Sequence, residues 1–276
     1  MLREQNLFED LGALPVFAPE KAVAFGVESH GDKVFGRILI PAEVNEGDRS
    51  PVVLLLHGYP GLERNMDIPY AFRRAGIAAA YFSYRGVWGS KGTYNFSHLI
   101  EDTETMLDYL RENAERFRID PERIYLFGHS MGGFATLNAI ARGAKVRGAV
   151  VLAPCDMGMR CIDEPELFEN MMLTPKSGYF NLASESDIAD DMRAHAQERR
   201  FTALADKIPQ DMPLYFIGGE KDTTVPPEQH IMPLLDLLKA RGMNVSYASV
   251  SDGHAFTAHR IWLIRTVFKY IEEMER

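Results

Sequence analysis

The chain has 276 residues, a length that suits a single large α/β domain and buries enough surface to need no disulfide or metal staple. Its 30 Lys and Arg against 39 Asp and Glu give a formal charge of −9, which argues against nucleic acid and anionic membrane surfaces as partners, since basic side chains drive binding to both. Cys155 and Cys161 are too few for a disulfide-rich scaffold or a four-cysteine zinc site, and no His/Asp/Glu cluster has metal-ligand spacing.

The first ten residues mix Arg3, Glu4, Glu9 and Asp10 among apolar residues and lack the pattern of a signal peptide. The longest apolar runs, 52–56 and 77–82, are too short to span a bilayer and the right length for buried strands. The expectation is a soluble, cytoplasmic protein with free thiols and no membrane partner.

In chain order, residues 23–28 and 34–40 read as an antiparallel strand pair joined by the turn signal His30-Gly31-Asp32. Residues 51–57 (PVVLLLH) are apolar on both faces, as a strand covered by helices on both sides requires. A helix over 66–75 ends at Gly76, a strand follows over 77–84, and Leu99, Met106, Leu107 and Leu110 set helical spacing over 98–118. A strand over 123–127, a helix over 131–142 closed by Gly143, and a strand over 146–152 come next. The remainder is a strand over 213–217, a helix over 228–241, a strand over 245–250 and an amphipathic helix over 258–275. Such alternation predicts an α/β fold with a mostly parallel sheet of about eight strands and helices on both faces.

The rhythm breaks between Ala153 and Pro213, where helical material over 186–205 accompanies Met157, Met159, Met171, Met172 and Met192, with Leu167, Phe168, Leu173, Tyr179 and Phe180. A structureless loop of that length is implausible, so residues 155–208 are expected to form a small helical cap inserted into one domain spanning 1–276.

The sharpest motif is Gly128-His129-Ser130-Met131-Gly132, a G-x-S-x-G sequence placed between a strand and a helix. A tight strand-to-helix turn needs glycines, lifts its serine above the sheet's carboxyl edge, and aims helix N-terminal amides where an oxyanion would form. A serine hydroxyl needs a base. His254, on the loop after the last strand, is the candidate, with His259 as its rival. The orienting carboxylate is Asp222, just past the strand over 213–217, with Asp156 as the alternative acid. Cys155 reads as a buried inert thiol.

The order Ser130, Asp222, His254, each at a strand's carboxyl end, resembles the α/β-hydrolase superfamily over essentially the whole chain. His57-Gly58-Tyr59-Pro60-Gly61 is similar to that superfamily's H-G-x-x-G loop, which implies an oxyanion hole made by the backbone N–H groups of Tyr59 and Met131; Pro60 has none to offer. Residues 83–90 (SYRGVWGS) resemble the D-x-R-G-x-G-x-S turn of many members, with Ser83 in place of Asp and one extra residue. Residues 28–41 and the Asp222-x-x-Val-Pro stretch look most like the prolyl-oligopeptidase-related branch, which includes stand-alone esterases and cinnamoyl-ester hydrolases. The resemblance implies a serine hydrolase acting on a small-molecule acyl ester without a cofactor. A serine peptidase or amidase of the same branch is the alternative, and a non-catalytic binding protein on this fold is a third reading. Dienelactone hydrolases, with cysteine at the Ser130 position, and haloalkane dehalogenases, with aspartate there, are disfavoured.

Overall fold

The computed structural model describes residues 2–10, 17–43, 45–61, 64–172, 178 and 180–276. Eight strands form one sheet: β1 (Lys21–Ser29), β2 (Asp32–Ile40), β3 (Ser50–Leu56), β4 (Ala78–Ser83), β5 (Ile119–His129), β6 (Gly148–Leu152), β7 (Leu214–Gly219) and β8 (Val245–Val250). Their order is β1-β2-β4-β3-β5-β6-β7-β8. The β1/β2 and β2/β4 pairs are antiparallel and every other pair is parallel, so β3 to β8 all deliver their carboxyl ends to one edge. The expected α/β architecture is therefore the one observed.

Local chemistry explains the boundaries. The β1–β2 hairpin turns at His30 and Gly31, both at positive φ (48° and 88°), as a two-residue hairpin loop matched to strand twist requires. Helix α1 (Asp67–Ala75) ends at Gly76, whose left-handed φ of 95° lets its N–H return to the carbonyls of Phe72 and Arg73. The helix expected over 98–118 begins earlier and is broken: α2 (Phe96–Glu112) starts where the Asn95 side chain accepts from His98 N–H at 2.9 Å, and a short α3 (Ala114–Phe117) follows Asn113. After α4 (Met131–Ala141), the helix expected over 228–241 likewise divides, into α9 (Pro227–His230) and α10 (Met232–Ala240). Pro233 supplies no N–H and its ring crowds the carbonyl four residues back, so one continuous helix cannot form.

Between β6 and β7 lie α5 (Met157–Asp163), α6 (Pro165–Met172), α7 (Asp187–Arg199) and α8 (Phe201–Leu204). Met157, Phe168, Met172 and Met192 are buried, packing these helices onto the main core, while Leu167 is exposed. Leu173 and Tyr179, expected to share in this apolar surface, lie outside the described residues.

Strand alternation builds two cores. Val52, Leu54 and Leu56 of β3 face Phe96, Leu99, Phe134 and Leu137 of α2 and α4. Val53 and Leu55 face the opposite layer, with Ile68 and Phe72 of α1 and Leu263 and Phe268 of α11 (Arg260–Met274). At the amino edge of the sheet, arginines tie strand starts to their surroundings: Arg49 to Glu115 at 2.8 Å, Arg118 to Glu43 at 3.3 Å, and Arg123 to Glu275 at 2.7 Å.

Candidate active site

Strand β5 runs directly into α4 through Ser130, which sits at φ 57°, ψ −114°, an unusual conformation for a residue with a Cβ. The turn is locked from both sides. Ser130 N–H donates to Leu152 O at 2.9 Å, and Cys155 N–H to Ser130 O at 3.1 Å. A Cβ on Gly128 would overlap the Gly132 carbonyl and Thr136 Oγ1, and one on Gly132 would overlap the Leu56 carbonyl. Only glycine permits this approach, which is why the motif is G-x-S-x-G here. A Cβ on Gly58 would stand 3.1 Å from Ser130 Cβ and 3.7 Å from its Oγ, so the 57–61 loop passes beside the serine. Met131 is in the first turn of α4, where backbone N–H groups have no partner within the helix.

Asp222 and His254 meet directly, with His254 Nδ1 2.7 Å from Asp222 Oδ2. The Asp222 side chain is fully enclosed, whereas that of His254 is 24% exposed. Asp222 Oδ1 accepts from the N–H groups of Thr224 (2.9 Å) and Val225 (2.8 Å). Burial alone would raise this carboxyl, but hydrogen bonds from His254 and from those two amides outweigh it and hold Asp222 below the ordinary carboxylate range. Asp252 folds the loop that carries His254 by accepting from Gly253 N–H, Ala258 N–H and His259 Nδ1. The rival base His259 is thus paired with Asp252 at 3.0 Å and stands apart from Asp222.

Ser130 reaches this pair through its neighbour; no direct Ser130–His254 hydrogen bond is found among the described residues. His129 Nε2 donates to the His254 carbonyl at 2.9 Å, and Asn65 Nδ2 donates to His129 Nδ1 at 3.2 Å. Both partners fix one neutral tautomer. Burial, together with the adjacent His254, pushes His129 down to about 3.

The alternative acid does different work. Asp156 caps α5 by accepting from Met159 N–H at 2.9 Å and also accepts from Phe201 N–H at 2.8 Å, with burial lifting its carboxyl to about 6. Cys155 is buried, and burial pushes its thiol up to about 12, consistent with an inert thiol. In the 83–90 turn, Ser83 Oγ accepts from Arg64 at 3.1 Å, while Arg85 finds its carboxylates on α2: Asp102 at 2.7 Å and Glu101 at 2.5 Å.

Two clusters escaped the sequence. Arg160 of α5 is buried against Glu164, His230 and the Thr224 carbonyl, and nothing in its local pattern distinguishes it from a surface helix arginine. Tyr59 stacks on Phe180 with ring centroids 5.1 Å apart and donates its hydroxyl to Met171 O at 3.1 Å, joining the 57–61 loop to the helices between β6 and β7.

The serine of the β5–α4 turn and the Asp222–His254 pair lie at the same carboxyl edge of a mostly parallel sheet. Residues 53–256 match the alpha/beta hydrolase family, and the chain belongs to it. Over 203 residues it is 31% identical to the uncharacterized protein YfhR of Escherichia coli (strain K12), a match covering 73% of this chain and 57% of YfhR. The chain thus spans a little over half the length of the first curated relatives it matches. The structure of a puromycin-hydrolyzing peptidase from Mycobacterium tuberculosis is similar with a TM-score of 0.72 at 19% identity, covering 96% of this chain and 41% of that one. Esterase Est22 is similar with a TM-score of 0.68 at 19% identity, covering 94% of this chain and 81% of that one. At these identities the likeness to both structures is one of fold. No helix among the described residues is long and apolar enough to cross a membrane.

Proposed function

We propose that the protein is a serine hydrolase that cleaves carboxylic esters, of acyl or cinnamoyl type, through an acyl-enzyme on Ser130. The observation that carries this reading is the 2.7 Å contact between His254 Nδ1 and Asp222 Oδ2 at the sheet edge where Ser130 emerges. A carboxylate only accepts, so Nδ1 keeps the proton and Nε2 offers its lone pair to the serine hydroxyl. Ser130 Oγ attacks the ester carbonyl as Nε2 takes its proton. The resulting oxyanion turns toward the backbone N–H groups of Tyr59 and Met131. Collapse expels the alcohol, which receives the proton from His254. Water, deprotonated by His254, then attacks the acyl carbon, releasing the acid and restoring Ser130. Apo sites often hold their catalytic hydrogen bonds loosely and tighten them on binding substrate, so a separated Ser130 and His254 are compatible with this chemistry. In this reading residues 155–208 act as a cap, joined to the 57–61 loop by the contacts of Tyr59 with the Met171 carbonyl and the Phe180 ring.

The decisive experiment is labelling with a fluorophosphonate probe together with turnover of an acyl ester panel by wild type and Ser130→Ala. Labelling at Ser130 and loss of nearly all turnover in the variant are expected. An unlabelled wild-type protein would point to a non-catalytic role on this fold. A serine peptidase or amidase is the second reading, favoured by the fold likeness to the puromycin-hydrolyzing peptidase. It predicts measurable turnover of peptide anilides by the wild type and its loss in Ser130→Ala, whereas the ester-hydrolase reading expects anilides to be left uncleaved.

A further inference from the structure

We propose that Arg160, on α5, is a positioning residue for Asp222: it holds the peptide group that holds the carboxylate. The proposal rests on Asp222 serving as the acid of the triad. Arg160 is 2% exposed and stands among the largest fully buried side chains of the described residues. Its Nη2 donates to the Thr224 carbonyl at 2.8 Å. That carbonyl shares one planar peptide group with Val225 N–H, which donates to Asp222 Oδ1 at 2.8 Å. One rigid plane is therefore gripped by a cation at its oxygen and by the carboxylate at its hydrogen. The cation polarises the peptide so that its N–H is a stronger donor, and fixes the plane so that the donor cannot swing. Asp222 Oδ2, thus aimed, meets His254.

The remaining contacts of the guanidinium show why it stays in place. Its Nε donates to Glu164 Oε2 at 3.0 Å, one turn along α5 and its exit, and its Nη1 donates to Met171 Sδ at 3.2 Å. His230 Nε2 lies 2.9 Å from Nη2, while the Asp156 N–H donates to His230 Nδ1 at 3.0 Å. A neutral imidazole offers one lone pair, so the ring accepts from one of these two donors only; burial, with the Arg160 charge beside it, keeps the ring neutral, and it does not repel the guanidinium. Through Met171, whose carbonyl accepts from the Tyr59 hydroxyl, the same side chain also touches the segment that abuts the 57–61 loop. The helices between β6 and β7 are in this way fastened to the acid's turn by one arginine.

A positioning role makes a prediction that packing alone does not. Arg160→Met keeps the volume, suits the neighbouring sulfur atoms and removes the donor to Thr224. Arg160→Lys keeps the charge and one donor. Both are assayed on p-nitrophenyl acetate, with rates normalised to active sites titrated by a fluorophosphonate, in the wild-type and the Asp222→Asn backgrounds. Arg160→Met is expected to lower kcat about 10- to 100-fold with KM within twofold, the size of effect a displacement of around 1 Å in a catalytic group produces. Arg160→Lys should recover part of that loss, and it carries the same test if the methionine variant does not fold. In the Asp222→Asn background both changes should alter kcat less than twofold, because residues acting through one group are not additive. An equal loss in both backgrounds would make Arg160 a general support of the fold and overturn the proposal. So would an unchanged kcat in an otherwise wild-type enzyme that Asp222→Asn disables. If Asp222→Asn by itself left kcat intact, the triad reading would fall first and this inference with it.

Discussion

Acidification from pH 7 to 5 is expected to cost the fold about 4 kcal/mol, because three histidines are buried as neutral rings. Burial, with the Arg64 charge nearby, lowers His57 to about 4; burial lowers His129 and His230 to about 3, helped by His254 and Arg160 respectively. An imidazole in the unfolded chain titrates near about 6.5. The folded values lie below the unfolded one, so below pH 6.5 the unfolded chain binds more protons and acid draws the equilibrium toward it. Between pH 7 and 5 each ring that stays neutral loses about 1.9 kcal/mol, and the three together about 6 kcal/mol. Asp156 opposes them. Burial lifts its carboxyl to about 6, so the folded chain takes up that proton first. This offsets about 1.3 kcal/mol against an unfolded carboxyl near about 3.9. Asp102 and Glu104, also raised by burial, act in the same sense as Asp156, so the net loss is about 4 kcal/mol at most. Asp222 has a depressed value; its contribution persists above the unfolded carboxylate range and is lost only below this window. A loss of this size is a large part of the roughly 5–15 kcal/mol that a domain possesses. Urea denaturation at the two pH values should show the midpoint falling with an unchanged m-value. His230→Gln should recover about 1.9 kcal/mol, nearly half of the net difference. Equal stability at pH 7 and 5, or an undiminished loss in His230→Gln, would refute neutral burial of these rings.

Asp222→Asn should lower kcat far more than Asp156→Asn, by up to about 10⁴-fold, because the amide favours the wrong imidazole tautomer whereas Asp156 serves backbone amides; steady-state kinetics on one ester would decide the ranking. Gly132→Ala should abolish soluble, cooperatively folding protein, since the new methyl meets the Leu56 carbonyl, and thermal melts of whatever is recovered would test it. Arg85→Met should destabilise by about 3–5 kcal/mol, read by urea denaturation, because it leaves the fully enclosed Asp102 carboxylate without its cation.

Fold and candidate site were legible to different depths. The strands could be read because parallel strands covered on both faces are continuous apolar runs, as in residues 51–56. The G-x-S-x-G turn could be read because its glycines answer a local steric demand. Helix breaks at Asn113 and Ile231 were missed, since periodicity continues across them while the Asn113 side chain, donating back to the Tyr109 carbonyl at 2.9 Å, or a single Pro233 decides the boundary. In the 155–208 stretch, α5 and α6 went unread because their apolar residues sit in runs such as Met171-Met172 that set no clear helical face. Arg160 and His230 were invisible for a deeper reason: 70 residues separate them, and only the closed structure makes a charged residue of α5 and a histidine of α9 neighbours. The pairing of Arg85 with Asp102 of α2 is likewise set by the packing of the helix against the turn.

The arginine pairs at the amino edge of the sheet have a consequence for how such a protein can change. Strands β3 and β5 run for 7 and 11 residues, which sets the two rims roughly 20 Å or more apart. Changes separated by that distance and sharing no partner combine additively. Arg49, Arg118 and Arg123 can therefore be strengthened or lost without retuning the turn at Ser130, and the loops around Tyr59 and Trp88 can vary while the opposite rim keeps the strands clasped. Heat tolerance and substrate range become traits that lineages can acquire in either order.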